Sequence, residues 1–424
     1  MALLHYKVPM VYASWSWREL AAALGCAVSP DMTARARLRE QMESLLGEEV
    51  SLWASGRAAL EEAFRAIARV SGDRREALMP SLLCRSVAER ALAAGLQPRF
   101  YDIGEDLTPD LARAREGIGR QTACVVVPHL YGRVLDLEPI TGPCRAAGVH
   151  LIEDCAASFL LRMENGALSG RQADFAVFSF NTGKTLVAGG GGALIQRAGL
   201  PAAAPETWST REERKHAAAR LWFALSYAWP SAGYSFLHRL PWRRWGARAP
   251  QKVQGKTITA VDASVVMVQW QRWPQLLARR LEIQGQYASG LANAPGIRLP
   301  QYAQGRYLTR LFVEFPVNVN DSSQPRYPVR ELLHARGIQT HLPYPPLHLD
   351  PQFGGPRRGD CPVSEQVAAR CLAVPSHPGL RHTQVEWVCR AIREIAQEVA
   401  EGKLHPVPAE AASITPEAPA AEEE

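Results

Sequence analysis

The stretch LIEDCAASF (residues 151–159), followed by DFAVFSFNTGK (residues 174–184), decides the reading of this chain. The apolar run from Val149 to Ile152 closes on Glu153 and Asp154 and is expected to form a buried strand. Phe175 to Phe180 is expected to form another, running into a glycine-containing turn that carries Lys184. Asp154 and Lys184 then sit on one rim of a sheet, and open α/β sheets bind ligands outside the carboxyl ends of their strands. A carboxylate and a lysine there suit pyridoxal phosphate, whose aldehyde takes a lysine amine while an acidic partner keeps the ring nitrogen protonated. Each residue also has a plainer reading: a strand-end Asp is often a turn or helix cap, and a loop lysine is often solvated. The string TGKT (residues 182–185) lacks the first glycine of a phosphate loop, because Phe178 stands five residues before Gly183. Gly189 to Gly192 lead into Ala193, Leu194 and Ile195, a tight turn into a strand with no dinucleotide fingerprint.

Further blocks bear on the choice. SGRAALEEAF (from Ser55), PHLYGRVLDL (from Pro128), IEDCAAS, FSFNTGK and GGGGALI follow one another, then QWQRW (from Gln269), RRLEIQGQYASGL (from Arg279), RGIQTHLPYPPLHLDP (from Arg336) and AVPSHPGL (from Ala373). With these blocks in order from about residue 40 to residue 400, the chain resembles the DegT/DnrJ/EryC1/StrS family. The resemblance implies a fold-type-I, pyridoxal-phosphate-dependent aminotransferase, an α/β protein with a mainly parallel seven-stranded-type sheet and a smaller α+β C-terminal domain. It implies Lys184 as the Schiff-base lysine, Asp154 as the partner of the pyridinium nitrogen and Ser179 as a phosphate contact. Gly56, Arg57 and Ala58 match a helix start whose amides receive the phosphate, and a helix N-terminus does offer N–H groups and a positive dipole end to an anion. Arg57 replaces the family's threonine and either adds a charged contact or points to solvent.

Other positions depart from the family pattern. Cys84 stands where an aromatic stacks on the cofactor ring, and Ala157 stands where a Gln or His follows the aspartate. VQGKT (from Val253) matches a partner-subunit segment, with Gly255 in place of a phosphate-binding asparagine and Lys256 beside it. Pro343, Tyr344 and Pro345 replace a His-Tyr-Pro motif. By resemblance the protein is at least a homodimer with composite sites, an amino acid, glutamate, gives the amino group, and a keto-sugar nucleotide accepts it. The same cofactor with a different acceptor, and a non-catalytic cofactor-binding regulator, stay open. Lys184 speaks against the regulator, and also against the dehydratase branch, which carries histidine there.

The 424 residues, 47% hydrophobic, suffice for one large core and one smaller one. Strands alternating with helical stretches up to about residue 200 argue for a mainly parallel sheet. The expected division is residues 1–250 as a large cofactor-binding domain, residues 251–404 as a small domain opening with one long helix through Val265 and Leu276 to Tyr287, and residues 405–424 as an acidic disordered tail. Eight cysteines without paired spacing point to reduced thiols, no structural zinc and a cytoplasmic setting, and no secretory leader is expected. Net charge is +6, with no nucleic-acid-binding motif.

An aromatic-rich insert spans about residues 205–250, with five of the eleven tryptophans between Trp208 and Trp245. Its uncharged run LWFALSYAWPSAGYSF (residues 221–236) is interrupted by Pro230 and Gly233 and is shorter than the roughly 20 residues a membrane span needs. The expectation is packing on the body or at a subunit boundary. Peripheral membrane contact, through Trp and Phe beside HRLPWRRWGAR, and a substrate entrance are the alternatives.

Overall fold

The computed structural model describes residues 7–10, 14–163, 165–197, 199–200, 203–228, 255–300, 308–320 and 325–407. Ser16 opens the first helix, α1 (Trp17–Val28), with a capping box: its Oγ accepts the Arg18 N–H at 3.2 Å, and its own N–H donates to Glu19 at 2.7 Å. The chain continues through α2 (Ala34–Leu46), β1 (Val50–Trp53), α3 (Gly56–Val70), β2 (Glu76–Pro80), α4 (Arg85–Ala93) and β3 (Gln97–Tyr101). Next come α5 (Leu111–Glu116), β4 (Thr122–Pro128), α6 (Glu138–Ala147), β5 (His150–Asp154), β6 (Phe175–Ser179) and β7 (Gly192–Gln196).

These strands form one sheet in the order β1-β7-β6-β5-β4-β2-β3. Five of them, β3, β2, β4, β5 and β6, run parallel, while β7 is antiparallel to both β6 and β1. The expected mainly parallel α/β sheet is present. Parallel strands covered on both faces read as continuous apolar runs, and β4 is buried from end to end. Alternate residues serve opposite cores. Val126, Ile152, Phe175 and Val177 pack with Ala63, Phe64 and Ile67 of α3, whereas Val125, Val127 and Leu151 meet Ile140 and Cys144 of α6.

The remaining elements are α7 (Thr210–Ala228), α8 (Ala260–Gln271), α9 (Trp273–Leu291), β8 (Leu311–Glu314), α10 (Val329–Ala335), α11 (Pro362–Arg370), β9 (Cys371–Val374) and α12 (His382–Ala400). The single long helix expected through Val265 and Tyr287 is two helices meeting at Arg272. Pro274 lies in the first turn of α9, where its missing N–H costs nothing. Val261, Val265 and Val266 of α8 share a core with Leu38, Met42 and Phe178, so residues past 251 still help cover the large sheet. β8 and β9 pair antiparallel. Their Leu311, Val313, Leu372 and Val374 pack on Ile283, Tyr287, Val388 and Ile392 of α9 and α12. The alternate residues Phe312, Cys371 and Ala373 join the core of the large sheet.

Within the aromatic insert, residues 229–254 and the side chains of Phe223 and of residues 225–228 lie outside the described residues, as does the tail from residue 408. Trp222 is half exposed. It points away from the buried stripe of α7 made by Ala217 and Ala224. Trp208 is fixed instead: its Nε1 donates to the Thr257 carbonyl at 2.7 Å. No described helix is long and apolar enough to cross a membrane.

Candidate active site

Register decides which strand ends meet. Pro128 at the end of β4 pairs with Asp154 at the end of β5, and Asp154 pairs with Val177 two residues before the end of β6. Trp53 and Ser179 both pair with Gly192, on either side of β7, so the end of β1 returns to the same rim. The chain turns there into α3: Ser55 Oγ accepts the Ala58 N–H at 3.1 Å, and Gly56 and Arg57 begin the helix with N–H groups that have no intrahelical carbonyl. Gly56 sits directly against Ser179, and a Cβ added to Gly56 would lie 2.7 Å from the Ser179 Cβ. The fold thus brings Ser179, Gly56, Arg57 and Ala58 together, with Arg57 half-buried.

Asp154 lies one strand away and is buried, and its Oδ1 accepts the Ala156 N–H at 3.0 Å. Burial pushes its carboxyl above the ordinary range, against that N–H and the charge of Lys184. Beside it, His129 and Glu153 form a fully buried pair. His129 Nδ1 accepts the Leu135 N–H at 3.2 Å, so Nε2 carries the proton and donates to Glu153 Oε1 at 2.8 Å. Glu153 also accepts the N–H groups of Gly170 at 2.6 Å and Gln172 at 2.9 Å. Burial alone would raise its pKa, but the hydrogen bonds from His129 and those two amides hold it below the usual carboxylate range.

Cys155 completes a cluster with His129 and Glu153 whose potential ligand atoms lie within 4.8 Å of one another, a grouping invisible in linear cysteine spacing. Burial drives the Cys155 thiol upward, and Glu153 already has its hydrogen bonds from protein donors, so the chemistry of this set is that of a structural pairing.

Lys184 follows β6 on a loop held at both ends. Phe180 donates its N–H to the Gly191 carbonyl at 3.0 Å and accepts the Ala188 N–H at 2.8 Å. Gln269 of α8 clamps Val187 in both directions, through Oε1 at 2.6 Å and Nε2 at 3.0 Å, and Trp15 Nε1 reaches the same carbonyl at 2.7 Å. The next residue, Thr185, is buried, with an Oγ1 that has no hydrogen-bond partner among the described residues.

The departures from the family pattern take definite places. Cys84 caps α4 half-buried, its Sγ 3.0 Å from Ser86 Oγ. Ala157 lies half-buried on the turn after Asp154. Lys256 is occupied within its own chain, 3.1 Å from Glu206 and 3.2 Å from the Thr207 carbonyl, beside Gly255 with its φ of +86°. The segment carrying Pro343, Tyr344 and Pro345 reaches the rim through a bridge between Leu82 and Pro346. Tyr344 stacks on Tyr131 at 5.5 Å and 15°, with the Arg310 guanidinium 5.8 Å from the Tyr344 ring.

Several of these residues escaped the sequence reading. His129 and Tyr131 lie in the quoted PHLYGRVLDL and Gln269 opens QWQRW, but only three-dimensional neighbours reveal their partners. Thr185 had one signal, its place next to Lys184.

Known proteins resemble this chain over most of its length. One relative, a dTDP-4-dehydro-2,3,6-trideoxy-D-glucose 4-aminotransferase of Saccharopolyspora spinosa, is 30% identical over 347 residues, covering 80% of this chain and 83% of its own. The solved aminotransferase TlmJ from Streptoalloteichus hindustanus is 26% identical with a TM-score of 0.72, covering 93% of this chain and all of its own. A putative sugar aminotransferase from Streptococcus pneumoniae, solved in its pyridoxal phosphate (PLP) form, has the same fold at 17% identity and a TM-score of 0.72, over 93% of this chain and 100% of its own. The model of one family matches residues 35–393, a span that holds every strand, the paired rim and the Lys184 loop, and the chain accordingly belongs to the DegT/DnrJ/EryC1/StrS aminotransferase family.

Proposed function

We propose that this protein moves an amino group from an amino acid, glutamate, to the keto group of a nucleotide-linked sugar. The carrying observation is the convergence of Asp154, Ser179, the start of α3 and the Lys184 loop on one rim of the sheet. The family's cofactor, pyridoxal phosphate, fits the residues present. Its phosphate would suit the Gly56 and Arg57 amides and Ser179, where only a glycine allows so close an approach, and the buried Thr185 Oγ1, without a partner among the described residues, would offer a further polar contact. When bound it supplies an aldehyde for the amine and a ring that draws off the electron pair left by proton removal.

The chain's own residues do the rest. Lys184 would hold the group through its Nζ, and as a free amine Nζ would move a proton at the substrate carbon. Asp154 would hold the ring nitrogen protonated. The nucleotide-sugar acceptor is supported by the relative's dTDP-sugar substrate. Composite sites in a homodimer are part of this reading, as is residence in the cytoplasm.

Borohydride treatment of the loaded protein should fix the cofactor on the peptide containing Lys184, and a panel of keto-sugar nucleotides with glutamate should yield 2-oxoglutarate and an amino sugar. Label on another lysine would overturn the site. A correct label with turnover only on non-sugar carbonyl compounds would overturn the acceptor.

A further inference from the structure

Lys184 stands on a loop that no sheet ladder secures. Residues 180–190 run from β6 toward β7 without regular secondary structure, yet Thr185, Leu186, Val187 and Ala188 are buried. Buried backbone N–H and C=O groups need partners, and in such a loop these must come from elsewhere in the fold. At Val187 one side chain serves both groups. Gln269 accepts the Val187 N–H through Oε1 at 2.6 Å and donates from Nε2 to the Val187 carbonyl at 3.0 Å. A primary amide carries an acceptor and a donor side by side, so Gln269 stands in for a neighbouring strand. Gln269 is only 1% exposed, and Trp15 Nε1 gives the same carbonyl a second donor at 2.7 Å.

The same helix backs the loop at a second point. Asp262 precedes Gln269 by seven residues, two turns along one face of α8. Its carboxylate takes two bonds from Arg220 of α7, at 2.6 Å and 3.2 Å. This pair lies against Gly190, where an added Cβ would collide with Arg220 Nη2 and stand 2.9 Å from Asp262 Oδ2. Lys184 is three residues from Val187, and three residues reach at most about 11 Å. Fixing Val187 therefore limits where the Lys184 backbone can lie. Its amine must meet a reacting carbon closely, since a misplacement of about 1 Å can cost about 10²-fold in rate.

We propose that Gln269 is a positioning residue for Lys184: by gripping the backbone N–H and carbonyl of Val187, it holds the loop where the lysine amine reaches the reacting carbon. Gln269 acts through that backbone and not on the substrate, while Asp262 and Arg220 back the far end of the loop at Gly190. The inference rests on the role proposed above for Lys184.

The test uses the full-length protein before and after loading with pyridoxal phosphate. Gln269→Met keeps an unbranched side chain of similar length and removes both bonds to Val187. In the cofactor-free protein, hydrogen exchange at the Val187 amide should quicken roughly tenfold or more in Gln269→Met, because a buried N–H loses its partner. Trp15→Phe leaves that N–H held, and exchange there should rise by less than about threefold. In the loaded Gln269→Met protein, borohydride should still label Lys184, while kcat falls roughly 10- to 100-fold and KM for glutamate stays within about threefold. Methylamine supplied to a Lys184→Ala protein replaces the lysine amine with one that owes nothing to the loop. In that background Gln269→Met should change the methylamine-dependent rate by less than about twofold. Should Gln269→Met fail to fold, Gln269→Asn, which keeps the amide but withdraws it by one methylene, carries the same measurements. Parental exchange at Val187, or quicker exchange with parental kcat, would overturn the proposal. An equal loss of the methylamine-dependent rate would make Gln269 a general structural residue and overturn it too. Label on another lysine would overturn the role of Lys184 itself, and the inference with it, a failure told apart from the others by the labelled peptide.

Discussion

Replacing Gly56 by alanine tests the phosphate cradle most directly. The added Cβ would stand 2.7 Å from the Ser179 Cβ, 3.1 Å from the Phe178 carbonyl oxygen and 3.1 Å from Ser179 Oγ. Carbon atoms in contact prefer about 3.5–4.0 Å, so the start of α3 must retreat from β6 by about 1 Å. Two of the three obstacles are a Cβ and a backbone oxygen, which cannot swing aside as the end of a flexible side chain would. Overpacking of this kind costs about 1–3 kcal/mol. In a domain of this size each kcal/mol lowers the melting temperature by about 2–4 °C. The same retreat carries the Gly56 and Arg57 amides away from an anion held at Ser179. Each charge-assisted hydrogen bond lost weakens binding by about 1.5–3 kcal/mol, roughly tenfold to a hundredfold. Thermal melts of the cofactor-free protein measure the first effect, and absorbance titration with pyridoxal phosphate measures the second. Gly285→Ala is the control: it lies inside α9 with nothing within 4 Å of its Cβ, and should stabilise by about 0.5–1 kcal/mol. A Gly56→Ala protein with parental melting temperature and parental cofactor affinity would refute the cradle.

Three further outcomes follow from the same geometry. Asp154→Asn should slow turnover by roughly 10²- to 10⁴-fold, the range for losing effective proton transfer, yet leave the cofactor-free melt unchanged or higher at neutral pH. The carboxyl is raised by burial, so its ionised form is disfavoured in the fold, while asparagine still accepts the Ala156 N–H; near-parental turnover would mean that another carboxylate serves the ring. His129→Leu should destabilise by about 3–5 kcal/mol at neutral pH, because it strands a buried Glu153. Since Glu153 is held below its ordinary range, that loss should be full above the usual glutamate pKa and shrink as acid protonates the group, and urea melts across pH would expose a flat difference. His377, buried with Nε2 3.1 Å from the Pro9 carbonyl, stays neutral down to about 3, where an exposed histidine protonates near 6.5. Its contribution is therefore complete above about pH 6.5 and falls by up to about 1.4 kcal/mol per pH unit as acid is added, and His377→Gln should flatten that slope.

Membership of a pyridoxal-phosphate aminotransferase family was legible from residue order. The strand ends at Asp154 and Ser179, the glycine turn into β7 and the capped start of α3 are local features, read from apolar runs and turn residues a few positions apart. Pro274 also stood in plain view, and giving it weight would have split the helix pair at Arg272. Other features arise between residues far apart in the chain and leave no local pattern. His129 meets Glu153 across two adjacent strands, Gln269 grips the Lys184 loop from a helix 82 residues away, and Tyr344 stacks on Tyr131 only because β8 and β9 dock on the large core. Exposure is likewise a tertiary property. Trp17, Leu24 and Val28 of α1 are as apolar as any core residues in sequence, and only the packing of α1 on α7 and α8 decided that they face water. Periodicity along one element states that a face is apolar, but what covers that face depends on the elements brought beside it.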